Sequence, residues 1–227
     1  MKDFKDKVAV ITGAASGIGR ALADRCVQEG MKAVLADVEA EPLATAEASL
    51  KASGATVLAV QTDVSQARDV EALAQKTMEA FGAVHVLCNN AGVGTEAAVW
   101  ESTLAEWEWI VGVNLWGVVH GVRVFVPLML AQDAECHIVN TRIMESARNR
   151  PGGLPPTGPR GPASEERWEA LRRLVPAGMP AAQVADAVFE ALRKDRFYIL
   201  THPEGKEAVR TRMEDILQER NPTPPGP

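Results

Sequence analysis

The first forty residues constrain this chain more than any other stretch. Lys7-Val8-Ala9-Val10-Ile11 is a short β-branched run that feeds into Thr12-Gly13-Ala14-Ala15-Ser16-Gly17-Ile18-Gly19. A helical pattern runs from Arg20 to about Glu29, and a second apolar run, Ala33 to Ala36, ends on Asp37. Strand, glycine turn, helix, strand and acid in this order form the layout of a dinucleotide-binding βαβ unit. Each glycine has its own task. Gly13 lets the chain turn off the strand without a Cβ clash. Gly17 admits a pyrophosphate to the backbone N–H groups, and Gly19 lets the helix lie against the strand. The helix start offers Ser16, Ile18 and unpaired N–H groups to an anion. Asp37, eighteen residues past Gly19, stands where a carboxylate accepts from ribose hydroxyls.

The alternation continues. A helix is expected from about Glu41 to Ala52, stopped by Gly54, and a third strand over Thr56–Val60, closing on Asp63-Val64. Ser65 reads as the N-cap of a helix over Gln66–Phe81, which Gly82 ends. Val84–Cys88 is the fourth strand and leads into Asn89-Asn90-Ala91-Gly92. Helical stretches follow at Leu104–Ile110 and Val113–Ala131, then a fifth strand at Cys136–Asn140. Regular alternation implies a parallel sheet with helices on both faces. No apolar run reads as long enough to span a bilayer.

With Thr-Gly-x-x-x-Gly-x-Gly after the first strand and Asn-Asn-Ala-Gly after the fourth, the sequence resembles the short-chain dehydrogenase/reductase family. The resemblance implies an α/β, three-layer Rossmann sandwich with strand order 3-2-1-4-5 and one further strand. It implies that Asp63 and Val64 meet the adenine, and that Asn90, Ala91 and Gly92 line the cofactor path. It also implies that Asn114, in Val113-Asn114-Leu115-Trp116-Gly117, kinks its helix and holds a water of the proton relay as a catalytic residue. The implied activity is oxidation or reduction of an alcohol or ketone with NAD(P). Asp37 favours NAD over NADP, because it repels a 2′-phosphate and neither Ala36 nor Val38 supplies a cation. The family's oligomeric habit implies a homo-oligomer.

The pattern breaks after the fifth strand. The family's chemistry needs a Ser beyond that strand and a Tyr-x-x-x-Lys on the next helix. The lysine ammonium draws the phenol below its ordinary pKa of about 10, which makes it a general acid/base. The only tyrosine here is Tyr198, and residue 202 is His. The text after Asn140 reads as the loop that follows the family's sixth strand, so one helix–strand unit is expected to be excised near Thr141–Arg142. Such a unit is roughly 30 residues or more, so the expected loss is on the order of forty to fifty. Ser146 and Ser164 stand in the wrong places to replace the missing Ser. Pro151 to Pro162 holds nine Pro or Gly in twelve residues, and a flexible lid-like loop is expected over 142–165. Helices are then expected near Ser164–Leu174, Ala181–Lys194 and Glu204–Glu219, a last strand over Arg196–Thr201, and a frayed tail over 221–227. The last strand should either pair with the fifth or leave a gap beside it. The whole chain, 1–227, reads as one domain.

A net charge of −6 argues against a general nucleic-acid or anionic-membrane binder. Cys26, Cys88 and Cys136 are far apart and read as free thiols of a cytoplasmic protein, and no Cys/His spacing suggests a metal. Trp100, Trp107, Trp109 and Trp116 could form an aromatic platform, but their helical context reads as packing or an oligomer face. His120, His137 and His202 read as structural.

Overall fold

In the computed structural model, residues 1–95, 97–141, 151–154 and 178–223 are described, with 161, 165 and 169 between them. Strands β1 (Val8–Thr12), β2 (Lys32–Asp37), β3 (Val57–Gln61), β4 (Val86–Asn89) and β5 (His137–Asn140) form a parallel sheet in the order β3-β2-β1-β4-β5. Helices α1 (Gly17–Gln28), α2 (Ala40–Ala52) and α3 (Ala67–Phe81) connect the first four strands as the alternation predicts.

All five residues of β1 are buried, because the sheet is covered on both faces. Successive residues serve opposite layers. Ala9 and Ile11 join Leu35, Val86 and Cys88 in a core with α1, α2 and a late helix, α6 (Ala181–Arg193). Val8 and Val10 join Val34 and Leu87 in a second core beneath α3 and α5 (Gly117–Ala131). Helix α4 (Leu104–Val111) runs without a break through a π-helical turn, Gly112–Trp116, into α5. A capping box starts α4: Thr103 Oγ1 accepts from the Glu106 N–H while Glu106 accepts from the Thr103 N–H.

Several expectations need correction. Leu104–Ala131 is long and apolar enough, by length and composition, to cross a membrane, contrary to the bilayer-length argument above. Here it is one layer of the sandwich: Gly117, Gly121, Phe125 and Met129 are its buried face. Ser65 does not cap α3; Gln66 holds that position, and the Ser65 hydroxyl donates to Asp63 Oδ1 at 2.7 Å. Cys136 is half-buried, unlike the fully buried Cys26 and Cys88. Residues 196–201 form no strand. A strand exists only with a neighbour to receive its backbone bonds, and the described sheet ends at β5. Phe197 and Tyr198 are accordingly 89% and 80% exposed, whereas Ile199 packs on the first core. Among the described residues, therefore, no last strand pairs with the fifth and none stands across a gap from it. The final helix, α7, spans Pro203–Leu217. The helix expected over 164–174, most of the loop expected over 142–165, Ser146, Ser164 and the end of the tail lie outside the described residues.

Candidate functional site

A cavity of about 920 Å³ opens over the C-terminal ends of β1, β2, β3 and β4. Parallel α/β sheets bind ligands at this edge. Of the site residues read from the sequence, Gly13, Ser16, Gly17, Ile18, Asp37, Asp63, Val64, Asn90, Ala91 and Gly92 all line it.

The glycine turn is built as expected. Gly13 and Gly17 have φ of +66° and +54°, the left-handed region that favours glycine. Gly19 lies beneath the cavity instead of lining it. A Cβ there would come within 2.0 Å of the Gly13 carbonyl oxygen and 2.5 Å of Asn90 Nδ2. Gly17 is the opposite case, with nothing within 4 Å of the Cβ position. Ser16 is the N-cap of α1 and its side chain makes no capping bond.

Thr12 ties the turn to the neighbouring strand. Its hydroxyl donates to the Cys88 carbonyl and accepts from the N–H groups of Asn90 and Ala91 at 2.9 and 3.0 Å. The buried Asn90 amide donates to the Thr12 carbonyl, 2.9 Å, and Thr141 Oγ1 donates to Asn90 Oδ1, 2.8 Å. Asn90 thus braces β1, β4 and the end of β5 while part of it faces the cavity. Thr141, the first residue after β5, commits its hydroxyl to that brace.

Asp37 is nearly buried at 8% exposure. Its two oxygens accept from the N–H groups of Ala15, 3.0 Å, and Glu39, 3.1 Å. The carboxylate is therefore aimed before any ligand arrives. Asp63 is held in the same way, its Oδ1 accepting from the N–H and hydroxyl of Ser65. Glu39 and Glu108 also line the cavity, which has no Lys or Arg among the described residues around it.

Asn114 does not line the cavity. It sits in the π-helical turn and makes a two-way bond with Val93: Oδ1 accepts from the Val93 N–H and Nδ2 donates to the Val93 carbonyl, both at 2.8 Å. It holds the chain after β4 in place. Tyr198 is far along the chain in an exposed irregular segment, packed edge-on against Phe197, and is not part of the cavity wall. His120, whose Nδ1 lies 3.0 Å from the Val64 carbonyl, and His137, beside Glu135, play structural parts.

Sequence reasoning missed one side of the cavity. Ala105, Glu108, Trp109 and Val113 line it, next to Pro151, Gly152, Gly153 and Leu154, which fall within the lid-like loop expected over 142–165. Trp109 is not only a packing residue. Ala105, Trp109 and Val113 recur at four-residue steps, which places them on one helix face, and that spacing was the available signal.

The pattern that describes the short chain dehydrogenase family matches residues 7–154. A 1-deoxy-11-beta-hydroxypentalenate dehydrogenase of Streptomyces exfoliatus is 32% identical, over 99% of this chain and 93% of its own. A CLA biosynthesis dehydrogenase/reductase of Lactiplantibacillus plantarum is 29% identical over 98% of this chain and 97% of its own, in an alignment of 277 residues. The crystal structure of a short chain dehydrogenase/reductase from Burkholderia phymatum, in complex with NAD, superposes with a TM-score of 0.92 at 40% identity, covering all of both chains.

Proposed function

The chain belongs to the short-chain dehydrogenase/reductase family, and from that premise we propose that its groove holds NAD(H) and that it descends from an oxidoreductase of alcohol or ketone groups whose proton-transfer residues it no longer carries. The observation that carries the cofactor reading is the cradle itself. Gly17 leaves its Cβ position empty, the Ser16 hydroxyl makes no capping bond, and α1 starts between them. Together they suit a pyrophosphate. Asp37, already oriented by two backbone N–H groups, suits the adenosine ribose. Asp63, Val64 and Val113 suit the base. A bound nicotinamide would supply the hydride donor or acceptor; the chain's part is to orient it and exclude water.

NAD is favoured over NADP on charge. Asp37, Glu39, Asp63 and Glu108 line the groove. At 4 Å and an effective dielectric of 20, one like-charge pair costs about 4 kcal/mol, and even the screened remainder selects against a 2′-phosphate.

The loss of proton transfer rests on the sequence. Tyr198 is the only tyrosine and has no lysine four residues on. The alignments to the Lactiplantibacillus and Streptomyces relatives run over 277 and 256 residues against this chain's 227, so both relatives carry residues with no counterpart here, in keeping with an excision. General acid/base catalysis contributes about 10²–10⁴ in rate, so any remaining turnover should be lower by at least that factor. The missing phenol–ammonium pair equally favours a second reading, a catalytically silent nucleotide-binding or dimerisation module. A homo-oligomer is proposed in either case: Leu115, Trp116, Val119 and Val122 form an exposed apolar stripe from the π-helical turn into α5. Two buried thiols and a net charge of −6 fit a cytoplasmic protein that binds no nucleic acid.

Calorimetric titration with NAD and NADP, an NAD-linked ketone reduction assay and an intact mass test the proposal together. NAD should bind at least tenfold more tightly than NADP. A 24.4 kDa chain that reduces ketones at rates ordinary for a dehydrogenase would refute the loss of proton transfer. Measurable turnover at a much lower rate would favour the oxidoreductase, and binding with none at all the silent module. No heat with either cofactor would refute the cofactor reading.

A further inference from the structure

We propose that Trp109 walls the adenine end of the groove and stacks its indole on the base; this deepens the NAD reading and rests on it. The argument begins with how closely the helix approaches. Gly112 stands where a Cβ would lie 3.4 Å from Ser65 Cβ, and Gly117 where one would lie 2.8 Å from Val64 Cγ2. A side chain at Gly117 would push the helix off the turn after β3. With glycine at both positions, the helix lies against Val64 and Ser65, the same turn that aims Asp63.

That contact fixes what faces the cavity one turn earlier. Ala105, Trp109 and Val113 line it together with Asp63, Val64 and Gln66. Ala105 is small and leaves room. Val64 and Val113 are apolar and shallow. Trp109 is the one aromatic side chain among the described residues of the wall, and it is half-buried there. Asp37 marks the ribose end and Asp63 the polar edge of the base. A planar ring held at those two points lies on Val64 and exposes its other side toward the helix face that carries Trp109 and Val113. Base–aromatic stacking needs no hydrogen-bond partner, only a planar face at that height. The neighbouring Trp107 does not line the cavity, and is the natural control.

ADP-ribose is the probe, since it carries the base without the nicotinamide. It should quench tryptophan fluorescence in the wild-type protein and in Trp107→Phe, and the quench should vanish in Trp109→Phe. Trp109→Leu should lose about tenfold in ADP-ribose affinity by calorimetry, equivalent to about 1.4 kcal/mol. A quench that persists in Trp109→Phe, or a Trp109→Leu affinity within twofold of wild type, overturns the inference. Trp109→Phe also guards against misfolding of the leucine variant, because it keeps an aromatic ring in the wall. If the wild-type protein binds neither NAD nor ADP-ribose, the cofactor reading itself fails; if it binds both and Trp109→Leu is indifferent, only this inference fails.

Discussion

Alanine at Gly17 and alanine at Gly19 should fail in different ways, although the two positions are only two residues apart. At Gly17 the new Cβ meets no protein atom within 4 Å. The cost in the free protein is backbone strain alone, because φ is +54°; a non-glycine residue there costs about 1–2 kcal/mol. For a chain of this size that is a fall in melting temperature of roughly 2–8 °C. The methyl group then occupies the side from which a pyrophosphate approaches. Losing one or two N–H bonds to a charged group, each worth about 1.5–3 kcal/mol, should lower NAD affinity about 10²-fold or more. At Gly19 the Cβ would stand 2.0 Å from a backbone oxygen and 2.5 Å from Asn90 Nδ2. Neither can step aside cheaply, since the Asn90 amide also holds the Thr12 carbonyl. Overpacking of about 1–3 kcal/mol and loss of a buried hydrogen bond of about 1–3 kcal/mol add up to a fall of roughly 10 °C. Thermal melting by circular dichroism and NAD titration of both variants read the contrast. A Gly19→Ala protein that melts like wild type, or a Gly17→Ala protein that keeps wild-type NAD affinity, would refute this division of labour.

Asp37→Ala should weaken NAD binding about tenfold and narrow the gap to NADP. It should also lower stability by about 1–3 kcal/mol, because the N–H groups of Ala15 and Glu39 lose their acceptor; unchanged affinities for both cofactors would count against the assignment. Asn114→Ala should cost about 2 kcal/mol for two bonds lost to Val93, and amide exchange at Val93 should speed up if the side chain positions that segment. His85 accepts the Val8 N–H at Nδ1, and burial, then the neighbouring Lys7, hold it below its ordinary 6.5. The unfolded chain therefore takes up a proton that the native protein refuses. Stability from this group is complete above about pH 6.5 and declines as the pH falls through that value, so melting temperature should drop between pH 7 and 5.5, and less so in His85→Gln. Burial pushes the Cys88 thiol up to about 12 and Cys26 well above its ordinary value. A maleimide at pH 7.5 should therefore label half-buried Cys136 first, and equal labelling of all three thiols in the native protein would contradict their burial.

What the sequence discloses here follows from how local each feature is. The turn from β1 into α1 is written within ten residues, and Gly13, Gly17 and Asp37 stand where that text puts them. The register of β1 to β4 follows from apolar runs of the right length between glycine stops such as Gly82, whose φ of +69° ends α3 as expected. Trp109 is ambiguous in the sequence because a tryptophan in an apolar helix has the same pattern whether it faces a core or a cavity. Only the contact of Gly112 and Gly117 with the turn after β3 decides which. Arg196–Thr201 has the composition of a strand and is not one, since pairing depends on a neighbour that local sequence does not name. Ser65 satisfies the capping pattern, yet the helix starts one residue later, at the Gln66 cap, and the Ser65 hydroxyl donates to Asp63 Oδ1 while accepting no helix N–H.

Binding and turnover should come apart in this chain, and the bracing explains why. The Thr12 hydroxyl, the Asn90 amide, the Asp37 carboxylate and the Asn114–Val93 pair close their hydrogen bonds among residues 12–114, with Thr141 as the single later contributor. Each bond links the ends of β1, β2 and β4 or the helix laid across them. Nothing in that set draws on the stretch where the family carries its phenol and ammonium. A segment can therefore be cut after β5 without loosening the cradle, because the cradle is tied to the centre of the sheet while the proton donor would stand at its edge. At that edge Ile138 is 40% exposed, in a sheet whose other apolar residues are mostly covered. A protein so divided should keep the coenzyme's affinity close to that of its relatives while turnover falls by orders of magnitude. A parallel loss of both would mean that the edge of the sheet supports the groove after all.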